Sequence, residues 1–163
     1  KMGFCQLPEE ITTGVLSYFQ SGLQEPEEEL SLHDQLVESL IEIGRLQKYL
    51  CAREYPMGRA RLDVVWRRIQ QSVPNFVFEV QVGGNLYQAL AKLKHAYDLW
   101  NSNSYLVARN VDTKQLNELL SGTFHEIRDK IHVVDEATVR RLAKLKNEIR
   151  DIEAHLGIAL PAP

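Results

Sequence analysis

Two acidic residues stand where acids are seldom found. Asp63 lies in the run Leu62-Asp63-Val64-Val65-Trp66, and Glu79 lies in Val77-Phe78-Glu79-Val80-Gln81. Both runs are rich in the β-branched and aromatic residues that suit strands. A charged group is rarely buried in such a stretch unless it is paired or bound to a cation. Strand alternation puts Glu79 and Gln81 on one face, and Phe78, Val80 and Val82 on the other. If the two strands are neighbours, the carboxylates meet. Two carboxylates in contact repel unless they share a proton or a cation. A divalent ion with oxygen ligands, Mg²⁺ or Mn²⁺, resolves that repulsion. Such an ion also lowers the pKa of a bound water and neutralises charge on a phosphate in the transition state.

The flanking sequence predicts the elements that must position these acids. Pro8-Glu9-Glu10 opens a helix over 8–22, and an acidic linker follows. Ser31 is a helix N-cap, and Leu32, Leu36, Leu40 and Ile43 recur at helical spacing until Gly44. Strands are expected at 49–55, stopped by Pro56, at 61–66 and at 75–82. Leu86, Leu90, Leu93, Tyr97 and Trp100 mark an amphipathic helix, which places Tyr97 and Trp100 in the core. A fourth strand reads at 104–108. Helix follows from Asp112 to Leu120 and again over 123–129, then a short strand at 131–134 and a long helix over 135–156. Helix, three strands, helix and strand make an α/β fold with a mixed sheet. The first three strands form a meander, and the crossover helix makes the third and fourth parallel.

This arrangement resembles the PD-(D/E)xK nuclease superfamily, the restriction-endonuclease-like fold with an αβββαβ core flanked by helices. The resemblance covers about 31–109, within a single domain. The helix at 8–22 is an N-terminal addition, and 112–157 is a C-terminal helical extension. The superfamily's two strand acids fall on Asp63 and Glu79, and its lysine position falls on Gln81, so the chain reads ExQ in place of ExK. The resemblance implies a Mg²⁺- or Mn²⁺-dependent endonuclease that hydrolyses DNA phosphodiester bonds, of restriction or repair type. The cation would be held by Asp63, Glu79 and the backbone carbonyl of Val80. Many members add an acid from the first helix. Glu38 takes that place here, with Asp34 and Glu42 one turn to either side. Glutamine brings no charge, so Gln81 predicts a slower enzyme or a positive charge supplied from elsewhere. Gln88, Lys92 and His95 share one face of the following helix, and Lys92 is the candidate replacement. The alternative is a weak or inactive nuclease-like domain that binds DNA or a protein partner.

Composition supports one folded domain. The 163 residues are 44% hydrophobic and 25% charged, with a net charge of −3. No run approaches the roughly 20 apolar residues of a membrane span, and no basic-then-apolar leader is read. Two cysteines, Cys5 and Cys51, make no disulfide framework, so a reducing, cytoplasmic setting is expected. The five histidines show no zinc spacing, and Gly83-Gly84 reads as a turn rather than a phosphate cradle. Charge is unevenly spread. Residues 2–44 carry nine acids and no lysine or arginine, whereas 45–70 carry seven bases against two acids. Arg59, Arg61, Arg67 and Arg68 from that basic stretch, with Gln88 and Lys92, are the candidate DNA contacts. Trp66, beside two of these arginines, is assigned to packing. Leu142, Leu145, Ile149, Ile152 and Leu156 form a narrow seam on the last helix, which either packs on its own sheet or joins a second chain as a homodimer.

Overall fold

A computed structural model describes residues 30–158. The helix expected over 8–22, the acidic linker and Cys5 lie outside the described residues. The elements are α1 (Leu32–Leu46), β1 (Leu50–Met57), β2 (Ala60–Arg67), β3 (Phe76–Gln81), α2 (Leu86–Trp100) and β4 (Asn103–Ala108). They continue with α3 (Thr113–Ser121), β5 (Ile131–Asp135) and α4 (Glu136–His155).

Side-chain caps set the helix starts. Ser31 Oγ accepts the Asp34 amide and opens α1, Asn85 Oδ1 accepts the amides of Tyr87 and Gln88 at α2, and Asp112 and Asp135 do the same for α3 and α4. The expected helix over 123–129 is only a 3₁₀ turn, His125–Ile127. β1 continues through Pro56 to Met57. Proline is tolerated there because β1 is an edge strand, where one missing N–H leaves no neighbour unsatisfied.

The five strands lie in the order β1-β2-β3-β4-β5. β1, β2 and β3 are antiparallel neighbours, and α2 carries the chain over so that β4 runs parallel to β3. β5 adds parallel to β4. The stretch 112–157 is therefore not a purely helical extension, because its strand completes the sheet.

Helices cover both faces. On one, Leu86, Ala89, Leu90, Leu93 and Ala96 of α2 pack with Leu62, Val65, Val77 and Leu106 of the sheet, joined by Leu116 and Leu120 of α3. On the other, Leu36, Val37, Leu40, Ile41 and Ile43 of α1 pack with Val64, Trp66, Phe78, Val80 and Val107, together with Val139 and Ala143 of α4. Gly44 lets α1 approach closely, since a Cβ there would overlap Cys51 Sγ and the Trp66 indole. Trp66 is buried among Tyr49, Phe76 and Phe78, as assigned to packing, and Tyr97 and Trp100 pack against the α2-side core.

A break in strand phase matters most for the site. Ala60 and Leu62 of β2 pack on the α2 side, yet Val64 and Trp66 pack on the α1 side. Residues two apart normally share a face, so β2 changes phase at Asp63. β1 does the same: Ala52 lies on the α2 side, and so do Tyr55 and Met57. Its break falls at Glu54, which has a left-handed φ of 48°. Arg53↔Val64 and Tyr55↔Leu62 bracket the change, so Glu54 and Asp63 lie opposite each other.

Candidate functional site

Asp63 and Glu79 meet. The β2–β3 ladder pairs Val64 with Phe78, Val65 with Val77 and Trp66 with Phe76. One step further, side chains take over from the backbone ladder. The Asp63 amide donates to Glu79 Oε1 at 3.3 Å, and the Val80 amide donates to Asp63 Oδ2 at 2.7 Å. The strands thus separate at this step, and the two carboxylates stand in the opening. Within a strand the N–H and C=O of one residue point to the same side, so the Val80 carbonyl also faces β2.

The third member comes from α2. Lys92 Nζ donates to Glu79 Oε2 at 2.8 Å. Glu79 is 4% exposed. Burial pushes its pKa up to about 7, helped by the neighbouring negative charge of Asp63, and the Lys92 ammonium offsets this only in part. For Lys92, burial opposes the charged form. The carboxylates of Glu79, Asp63 and Glu54 outweigh it, and its pKa is raised. One cation is shared among three acids, and the most buried acid remains under-compensated near neutral pH.

α1 contributes differently from expectation. Glu38 Oε1 accepts Arg53 Nη1 at 3.1 Å, and Asp34 Oδ1 accepts Arg53 Nη2 at 3.1 Å, so both acids clamp an arginine of β1. Glu42 faces Arg150 of α4 at 3.8 Å. The α1 side chain that reaches the site is His33, with Nε2 3.5 Å from Asp63 Oδ2 and Nδ1 3.8 Å from Asp34 Oδ1. Gln81 shares the face of Glu79, but its Nε2 turns back to donate to the Gly83 carbonyl at 3.0 Å.

The arginines fall into two groups. Arg59 and Arg61 are exposed at the β1–β2 hairpin, with Arg61 two residues from Asp63. Arg67 and Arg68 lie at the other end of β2, about 13 Å along the strand at roughly 3.3 Å per residue. There Arg67 Nη1 donates to the Gln70 carbonyl, and its guanidinium lies 5.5 Å from the Tyr55 ring centroid. Gln88 is exposed on the first turn of α2. Cys51 is a half-buried free thiol whose pKa is pushed up to about 11 by burial, which makes it a poor nucleophile.

Sequence reasoning missed His33 and Glu54. His33 follows the N-cap Ser31 by two residues, and its proximity to Asp63 depends on how α1 lies across the sheet. Glu54 read as an ordinary strand residue, and its positive φ left no mark in the sequence.

No protein-family model matches the chain, and no curated protein or solved structure matches it.

Proposed function

We propose that the chain is a metal-dependent endonuclease acting on DNA phosphodiester bonds, with a restriction-endonuclease-like core. The observation that carries this reading is the convergence of Asp63 and Glu79 from adjoining strands, with the Lys92 ammonium on the second. The donor chemistry suits Mg²⁺ or Mn²⁺. These are hard ions that take oxygen ligands, need only one or two carboxylates and keep several waters. Among the described residues no three His, Cys, Asp or Glu side chains form a metal-holding group. The ion would therefore rest on the carboxylates of Asp63 and Glu79, the Val80 carbonyl and water. The raised pKa of Glu79 favours the same reading, because a second cation would relieve it.

When bound, the ion would supply Lewis-acid polarisation of the phosphate and acidify a water ligand. The chain's own residues do the rest. Lys92 brings the positive charge that Gln81 lacks and stands where it can offset charge on a phosphate oxygen. Arg59 and Arg61 on the hairpin hold the DNA backbone beside the site, while Arg67 and Arg68 extend that contact along β2. The free Cys51 thiol is in keeping with a reducing, cytoplasmic setting.

A second reading is favoured by two of the same contacts. Lys92 already occupies Glu79, and Gln81 is tied to Gly83. Both suit a nuclease-like domain that binds DNA or a protein without cutting. The test is cleavage of plasmid and branched DNA with Mg²⁺ or Mn²⁺ by wild type, Asp63→Ala and Glu79→Ala. The enzyme reading expects cleavage by wild type alone. Equal background nicking by all three rejects it.

A further inference from the structure

Leu142 of α4 lines an apolar hollow with Leu40 and Ile43 of α1, but from Leu145 onward the outward face of α4 has no apolar partner among the described residues. Leu142, Leu145, Ile149, Ile152 and Leu156 are 41%, 44%, 56%, 60% and 62% exposed. They are spaced three and four apart, so they form one stripe about 21 Å long at 1.5 Å per residue. The adjoining side of α4 packs on its own fold: Val139 and Ala143 are buried there, Lys146 is half-buried at the border, and Arg150 faces Glu42 of α1. Single exposed aliphatics are ordinary, but a continuous row of five marks an interaction surface.

The charges flanking the row say what covers it. On one flank lie Arg141, Glu148 and His155, and on the other Lys146 and Glu153. In a parallel pair of these helices, Arg141 would face Lys146 and Glu148 would face Glu153, both like-signed. In an antiparallel pair with Leu142 against Ile152 and Leu145 against Ile149, Lys146 and Glu148 would each face their own copies. Of the two neighbouring antiparallel registers, one sets Arg141 beside Glu148 but leaves Ile149, Ile152 and Leu156 outside the contact, and the other is complementary and keeps them in it. The latter sets Ile149 against Ile152 and Leu145 against Leu156, each twice, with Lys146 beside Glu153 and Glu148 beside His155.

We propose that α4 pairs in this antiparallel register with α4 of a second copy of the chain, forming a two-fold symmetric dimer. The contact is isologous, so the Lys146–Glu153 pair occurs twice. Two helical stripes of this length bury less than the roughly 1,200 Å² of a standard stable interface, so the dimer is reversible and depends on concentration. The pairing does not depend on the nuclease reading, and loss of one leaves the other standing.

Sedimentation equilibrium of the full chain, from about 1 μM to about 500 μM, tests this. Wild type is expected to show a reversible monomer–dimer equilibrium. Ile149→Glu combined with Ile152→Glu is expected to be monomeric throughout, with an unchanged circular dichroism spectrum because both positions are exposed. Lys146→Glu alone and Glu153→Lys alone should each weaken the dimer by about tenfold, and the two together should restore it to within about threefold. A wild type that stays monomeric at every concentration overturns the proposal. So does a dimer that survives Ile149→Glu/Ile152→Glu, or single charge reversals that change nothing. A monomeric wild type that loses thermal stability in Ile149→Glu/Ile152→Glu would also overturn it, and would assign the stripe to residues 1–29 of the same chain.

Discussion

Replacing Glu79 by glutamine should remove a pH dependence built into the fold. The carboxyl has a pKa of about 7 in the folded chain against 4.5 for an ordinary glutamate. The folded state therefore binds this proton more tightly than the unfolded state. Stability follows the difference in bound protons, so this contribution is fully present below about pH 4.5, declines as pH rises through that window, and is gone above about pH 7. The gap is about 2.5 pH units, which at about 1.36 kcal/mol per unit amounts to roughly 3 kcal/mol. Glutamine keeps an oxygen to accept the Asp63 amide but cannot ionise. It loses the bond to Lys92, whose side chain is 31% exposed and can turn to water. Urea unfolding in EDTA, repeated from about pH 5 to about pH 8, reads the result. Glu79→Gln should gain on wild type by about 2.5 kcal/mol from about pH 5 to about pH 8, since the lowest part of the window lies below about pH 5. A difference that stays constant within about 0.5 kcal/mol, or one that moves the other way, refutes the claim that burial and Asp63 dominate over Lys92 at this carboxyl.

Three further outcomes follow from the same contacts. Lys92→Ala leaves a buried carboxylate without its cation, so it should cost about 3 kcal/mol near pH 8 and much less near pH 5, where Glu79 holds its proton; the same urea series checks this. In the cleavage assay, Lys92→Ala should lower the rate by about 100-fold or more, whereas Gln81→Ala, which loses only a bond to Gly83, should stay within about threefold; the reverse order would show that Gln81 carries the role. Gly44→Ala would drive a methyl group into Cys51 and the Trp66 indole, and thermal or urea denaturation should show a loss of about 1–3 kcal/mol.

The site was half legible in the sequence, and the reasons are physical. Asp63 and Glu79 could be found because each interrupts an apolar strand, and a buried acid needs a partner. Lys92 could be found because its helix directly follows the strand of Glu79, and a face of that helix must lie on the sheet. Position along α1 did not reveal which side chain reaches the acids. That depends on the rotation of α1 against the sheet, which turns Asp34 and Glu38 to Arg53 and leaves His33 near Asp63. Glu54 was invisible for a different reason. Two facing strands change phase together at Glu54 and Asp63, and a paired change of this kind leaves no mark on either strand read alone. The meander and the crossover followed from hydrophobic patterning and connection length. The 3₁₀ turn at His125–Ile127 departed from the expected helix.

The most direct measurement is calorimetric titration of the metal-free chain with Mn²⁺ near pH 6.5, repeated in buffers of different ionisation heat so that released protons are counted. If Asp63 and Glu79 jointly hold the ion, wild type should bind one Mn²⁺ and release a fraction of a proton from Glu79, whose pKa of about 7 must fall on binding. Asp63→Ala should lose both the heat and the proton. Wild type that binds no Mn²⁺ up to millimolar concentration, or Asp63→Ala that binds it equally well, would contradict a shared ion at this pair.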